Sequence, residues 1–145
     1  MAKERELWQR CRTGLKNLRA LGYETHVCRI ENSAMSGHPD VEGCIDGLQT
    51  WIELKSQPRP VRAGTPIRCK IRDSQSIWHK ARAVAGSRTH WLLIQVGAAH
   101  NAKLYLIPGS RYDDVVATES NLAAMSRCAP TATLATILLR ACEPW

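Results

Sequence analysis

The sequence predicts a mixed α/β sheet covered by helices. Three observations carry that prediction. Apolar residues recur at helical or strand spacing in the order helix, strand, strand, strand, helix, strand, strand, helix. Asp46-Gly47, set between two alternating runs, marks a tight hairpin. The stretch from Leu54 through a helix to Trp91 is a crossover, and crossovers join parallel strands. A hairpin and a crossover in one sheet make it mixed, and its faces need helices to cover them.

The elements follow in order. Residues 3 to 21 carry Leu7, Trp8, Cys11, Leu15 and Leu18 at steps of three and four, with Gly22 as a stop. Glu4 projects onto that apolar stripe, where an acid needs a reason; the plain one is a favourable charge at a frayed helix start. Glu24 to Glu31 alternate as a first strand, and "NSAMSGHP" is a turn-rich link. The hairpin comes next. "SQPRPVRAGTPIRCKIR", Ser56 to Arg72, reads as a loop rich in Pro and Arg with a short edge strand at its end. "DSQSIWHKARAVAGS" reads as a helix capped by Asp73 or Ser74 and stopped by Gly86. "THWLLIQVG" is a central strand, apolar throughout, and "AKLYLIPG" a second, shorter one. "ATLATILLRAC" is a helix in the tail.

The chain of 145 residues suits one domain, with a core over about 3–110 and a C-terminal extension over about 111–145. No apolar run is long enough to span a bilayer and no signal peptide is evident, so an intracellular soluble protein without a membrane partner is expected. Six cysteines at 11, 28, 44, 69, 128 and 142 lack metal-ligand spacing and read as free thiols, many of them buried. The net charge is +7, which points to a polyanionic partner, or else to a basic surface that serves solubility alone. Its distribution is informative. Residues 56 to 88 hold eight Lys or Arg and one acid, while residues 1 to 55 balance eight against eight.

If Asp46-Gly47 is the turn, Ile45 faces Leu48, Gly43 faces Thr50 and Val41 faces Ile52 on an apolar face. Cys44 then meets Gln49, Glu42 meets Trp51, and Asp40 meets Glu53 on the other face, expected to point away from the core. Two carboxylates about 5 Å apart repel, unless one is protonated or a cation lies between them. Hard divalent cations take such oxygens. Lys55, two residues past Glu53, points to the same side and is able to orient a water or stabilise phosphate charge. Asp46 serves the turn. Glu42 is either an acid behind the site or a solvated strand residue.

At these residues the chain resembles the PD-(D/E)xK nuclease superfamily. "HPD" with Pro39-Asp40, followed by "IELK" with Glu53-Leu54-Lys55, fits its signature. The chain is similar in particular to small phage nucleases of the VRR-NUC and Holliday-junction-resolvase-like type. "KERELW", "RIENSAMSGHPDV", "WIELKS", "DSQSIWHKARAVAG" and "WLLIQVG" resemble their elements in order, over roughly residues 3 to 110; the tail from about Asp113 has no counterpart. The resemblance implies a restriction-endonuclease-like α/β/α core and a metal-dependent endonuclease. Asp40 and Glu53 would bind Mg²⁺ or Mn²⁺, with the Ile52 or Leu54 carbonyl as a further ligand. Lys55 would position the attacking water, Glu4 would complete the site from its helix, and Gln75 would support the lysine or a phosphate. Branched DNA such as a four-way junction, or double-stranded DNA, would be the substrate, cut by a homodimer because symmetric cleavage needs two sites. The host would be a bacterium or a phage-infected cell.

Around this set, Arg59, Arg62, Arg68, Lys70 and Arg72 form a candidate phosphate track. His79 and Arg82 share the Gln75 helix face and are candidates for DNA contact or for solvated positions. His38 either touches a phosphate or is solvated; Trp51 stacks or packs; Arg29 and Glu31 are candidates for the rim. Two other function classes compete. One is a DNA-binding module of the same fold with a lapsed site, which intact Asp40, Glu53 and Lys55 disfavour. The other is a zinc-organised interaction protein, which the cysteine spacing disfavours.

Overall fold

The computed structural model describes residues 2–30, 37–114 and 116–145, with backbone only at residues 2, 99 and 112–114. Its elements are α1 (Ala2–Ala20), β1 (Thr25–Arg29), β2 (Val41–Ile45), β3 (Leu48–Gln57), β4 (Ile67–Arg68), α2 (Asp73–Val84), β5 (His90–Val96), β6 (Lys103–Pro108), β7 (Val116–Ala117), α3 (Glu119–Met125) and α4 (Leu134–Ala141). Five strands form one sheet in the order β1-β2-β3-β5-β6. Only β3 and β5 run parallel, joined through α2. The mixed α/β sheet flanked by helices is therefore the architecture of the chain.

The hairpin has the register expected from the turn: Val41 faces Ile52, Glu42 faces Trp51 and Ile45 faces Leu48. Asp46 has φ 47° and Gly47 φ 84°, two left-handed residues in a row, which is the tight turn that matches strand twist. The Asp46 carboxylate also accepts from the Glu24 N–H at 2.8 Å, tying the turn to the start of β1. The strap "NSAMS" of the link before the hairpin lies outside the described residues, as does Glu31.

Both faces of the sheet are covered. On the first, Leu7, Cys11, Leu15 and Leu18 of α1 and Ile137, Leu138 and Ala141 of α4 pack on Val41, Ile52, Leu54, Trp91, Leu93 and Leu106. A Cβ on Gly14 would meet Leu134 Cβ at 2.9 Å, so the two helices touch where α1 has no side chain. On the second face, Ile67, Cys69, Ala117 and Leu122 cover Leu92, Ile94, Val96, Tyr105 and Ile107.

Three expectations need correction. The acid-bearing face does not point away from the core: it is the second covered face, and Glu53 is 2% exposed. The helix over 73–84 has Arg72 as its N-cap residue, and the Arg72 N–H is taken up by the Gln75 side chain at 3.0 Å. The short strand after the Arg-rich loop does not edge the main sheet but pairs with β7 in a sheet of its own. Within the C-terminal segment, α4 shares the main core with α1. The sequence reading also missed α3 and β7, which are too short to show a period. All six cysteines are free, but only Cys11, Cys69 and Cys142 are buried. Among the described residues no helix is long and apolar enough to cross a membrane.

Candidate active site

The hairpin register carries Asp40 to a place beside Glu53, one step beyond the last strand pair. Asp40 is held there by a backbone bond: its Oδ2 accepts from the Leu54 N–H at 3.0 Å. The loop that delivers it is docked on α2. A Cβ on Gly37 would collide with the Ser74 carbonyl, and Gly37 has φ 84°, so only glycine lets the backbones meet. One residue on, the His38 ring sits 5.5 Å from the Trp78 ring of α2, and its Nδ1 lies 3.0 Å from the Pro39 oxygen.

Glu53 and Lys55 project to the same side of β3, as alternate strand residues must. Lys55 Nζ lies 3.7 Å from Glu53 Oε1. Gln75 of α2 joins them: its Nε2 donates to Glu53 Oε1 at 2.7 Å, and its Oε1 accepts from Lys55 Nζ at 3.4 Å. That same Oε1 takes the Arg72 N–H, so the amide is fixed by the helix start. Glu53 Oε2 is buried and has no hydrogen-bond partner among the described residues. Burial first, and the facing Asp40 charge second, push the Glu53 carboxyl up to about 9, against the pull of Lys55.

A cavity of about 630 Å³ opens over these groups, lined by Glu4, Asp40, Glu53, Leu54, Lys55, Gln75 and, on its rim, Lys3, Lys70 and Arg72. The first turn of α1 thus brings Glu4 to the site, which accounts for an acid on an apolar stripe. Among the described residues no group of three His, Cys, Asp or Glu side chains converges to hold a metal. The donor set fits a hard divalent cation that keeps several waters: two carboxylates, one with an unpartnered buried oxygen, and open space beside them.

The flanking residues divide. Lys70 and Arg72 reach the cavity, and Lys3 joins them. Lys3 was missed, although its place beside Glu4 in the same helical turn was the available signal. Arg62 and Arg68 are exposed but do not line the cavity. Arg59 is committed elsewhere: it grips Glu119 at 2.9 and 3.1 Å and donates to the Asn101 and Val96 carbonyls at 2.7 and 3.2 Å. It anchors the loop rather than extending the track. His79 is fully buried, its Nδ1 2.9 Å from His90 Nδ1, so it is removed from any DNA-contacting face. Glu42 is exposed, its Oε2 4.0 Å from His38 Nε2. Arg29 ends β1 opposite Val41.

No protein-family profile matches the chain, and no curated protein sequence is significantly similar to it. Among solved structures, a similar one is that of Archaeoglobus fulgidus Hjc, a Holliday junction resolvase from an archaeal hyperthermophile. The match has a TM-score of 0.49 and 12% sequence identity, and covers 87% of this chain and 94% of that one.

Proposed function

We propose that the chain is a metal-dependent endonuclease that hydrolyses phosphodiester bonds in DNA, with branched DNA such as a four-way junction as its substrate. The observation that supports this reading best is the carboxylate pair: Asp40 beside a buried Glu53 whose Oε2 has no donor among the described residues, with Lys55 at 3.7 Å from Oε1. Folding has assembled two repelling acids under cover, and a bound cation relieves both the repulsion and the orphaned oxygen. The order of Asp40, Glu53 and Lys55, with Gln75 on the next helix, also resembles the superfamily signature.

Asp40 and Glu53 would hold Mg²⁺ or Mn²⁺, which when bound polarises the phosphate and eases ionisation of a water. The remaining work falls to the chain. Leu54 N–H fixes the Asp40 carboxylate. Gln75 holds the Glu53 carboxylate and the Lys55 ammonium in one geometry. Lys55 orients the attacking water and stabilises charge on the phosphate as it develops. Lys3, Lys70 and Arg72 on the cavity rim neutralise the backbone, an interaction blind to sequence. Cutting a symmetric junction calls for two such sites, so a homodimer is expected in solution.

The test is a labelled four-way junction incubated with Mg²⁺ and wild-type protein or Asp40→Ala. Cleavage by wild type and none by the variant is the expected result. Wild type that leaves junction, flap and duplex DNA intact with both Mg²⁺ and Mn²⁺ sinks the reading. Sedimentation of the free protein as a monomer at micromolar concentration would remove the dimer.

A further inference from the structure

Beyond the acids, α2 carries a cation that is built unlike the other arginines of the chain. The Arg82 guanidinium lies 4.7 Å from the Trp51 ring and 4.5 Å from the Trp78 ring. The two contacts fix it from β3 on one side and from its own helix on the other. Both indoles and the arginine are half-buried. Arg88 and Arg140 also lie over indoles, 5.0 Å from Trp145 and 5.4 Å from Trp91, but each over one ring and each with backbone carbonyls to donate to, while Arg59 grips Glu119. Among the described residues the Arg82 side chain makes ring contacts alone, with no hydrogen bond or ion pair to protein. Glu42, which faces Trp51 across the hairpin, is set against His38 instead.

A guanidinium held by two rings, with no protein acceptor among the described residues, has its N–H groups available for a ligand. Stacking removes the rotational freedom that a solvated arginine would lose on binding, and the planar fork matches phosphate oxygens. Its location gives the ligand. Trp51 stands two residues before Glu53 on the same side of β3, about 7 Å along the strand. Lys70 and Arg72 line the cavity that holds Glu53 and Lys55.

We propose that Arg82, clamped between Trp51 and Trp78, is a preorganised binding site for one backbone phosphate of the nucleic acid strand that crosses the acids. The strand then crosses β3 with the acids and the cavity-lining Lys70 and Arg72 at one contact and Arg82, on the Trp51 side of Glu53, at another. This rests on the nuclease reading and extends it, because it assigns a phosphate contact outside the catalytic set.

The experiment uses Asp40→Ala as the parent, so that DNA stays intact, and compares it with the same protein carrying Arg82→Met. Methionine keeps an unbranched stem against the indoles and loses the charge and the N–H groups. Binding of a four-way junction is measured over a salt series, and single methylphosphonates, which neutralise one phosphate, are scanned along the strand. Arg82→Met is expected to bind about tenfold more weakly, with the salt slope reduced by about one. One methylphosphonate, to one side of the bond that wild type cuts, should weaken the parent and leave Arg82→Met unaffected. Equal affinity, slope and methylphosphonate profile in the two proteins overturns the proposal while leaving the nuclease reading intact. A parent that binds no DNA sinks the nuclease reading itself, and this one with it. If Arg82→Met also melts far below the parent, Arg82→Lys decides: a recovered salt slope supports the phosphate site, and a slope still reduced in a protein of parental melting temperature overturns it.

Discussion

At the residue scale the site turns on Glu53. Its raised carboxyl means that the folded, metal-free protein keeps a proton that the unfolded chain releases. The folded state then binds more protons between about pH 4.5 and 9, so this group's contribution is present below that window and is lost as pH rises through it. Glu53→Gln removes the charge and keeps an acceptor for Gln75. It should stabilise the metal-free protein by on the order of 2 kcal/mol at pH 8, read by urea unfolding, while ending cleavage. Mg²⁺ or Mn²⁺ should raise the melting temperature of wild type, as a ligand bound only by the folded state does, and leave that of Glu53→Gln unchanged. Gln75→Leu leaves both Glu53 and Lys55 without their shared partner, and a loss of about 10–100-fold in metal affinity or cleavage rate is expected, measured by titrating metal in single-turnover assays. The grouping of Asp40, Glu53 and Lys55 was legible because strand alternation and turn register are local rules, whereas Gln75 came from the resemblance alone. The burial of Glu53 was not legible, because the Gln75 side chain that meets it comes from α2, on the far side of a long loop.

At the scale of elements, α2 does more than cross from β3 to β5. It presents Gln75 to Glu53, receives the Gly37 backbone and the His38 ring, and meets β5 through His79. Gly37→Ala puts a methyl group against the Ser74 carbonyl at a left-handed position, so the Asp40 loop must lift. A loss of about 1–3 kcal/mol in stability and a drop in cleavage larger than that of Gly47→Ala are expected, since a Cβ on Gly47 meets nothing. The His79–His90 pair predicts an opposite pH dependence to that of Glu53. Burial holds His79 down at about 3 and His90 at about 4, with Arg82 and, for His90, Arg88 adding repulsion. Each is neutral when folded and protonates when unfolded, so the contribution is present above about pH 6.5 and is lost as pH falls toward 4. Melting temperature should fall across that window, and the fall should flatten in a His79→Leu, His90→Leu double variant. The sequence placed the helix and its Gly86 stop, but not its contacts; a histidine at helical spacing from Gln75 reads the same whether it faces DNA or another histidine.

For the whole molecule, the C-terminal segment belongs to the core. Ile137, Leu138 and Ala141 are fully buried against α1 and the sheet, and the Trp91 indole donates to the Ala141 carbonyl at 2.7 Å. Leu138→Ala should therefore cost about 2–5 kcal/mol in urea unfolding, although it lies far along the chain from the site. The sequence by itself determined the order of the five main-sheet strands and of α1, α2 and α4, the hairpin register and the parallel crossover, and it offered the residues of the proposed chemistry. Each follows from periods of two or 3.6 residues and from turn residues that act on their neighbours. Only the tertiary structure decided that the acids lie under cover, that Arg59 is an anchor and His79 a buried partner, and that Arg82 is caught between two indoles. Those outcomes depend on which side chains meet across elements distant in sequence, and no local period encodes that meeting.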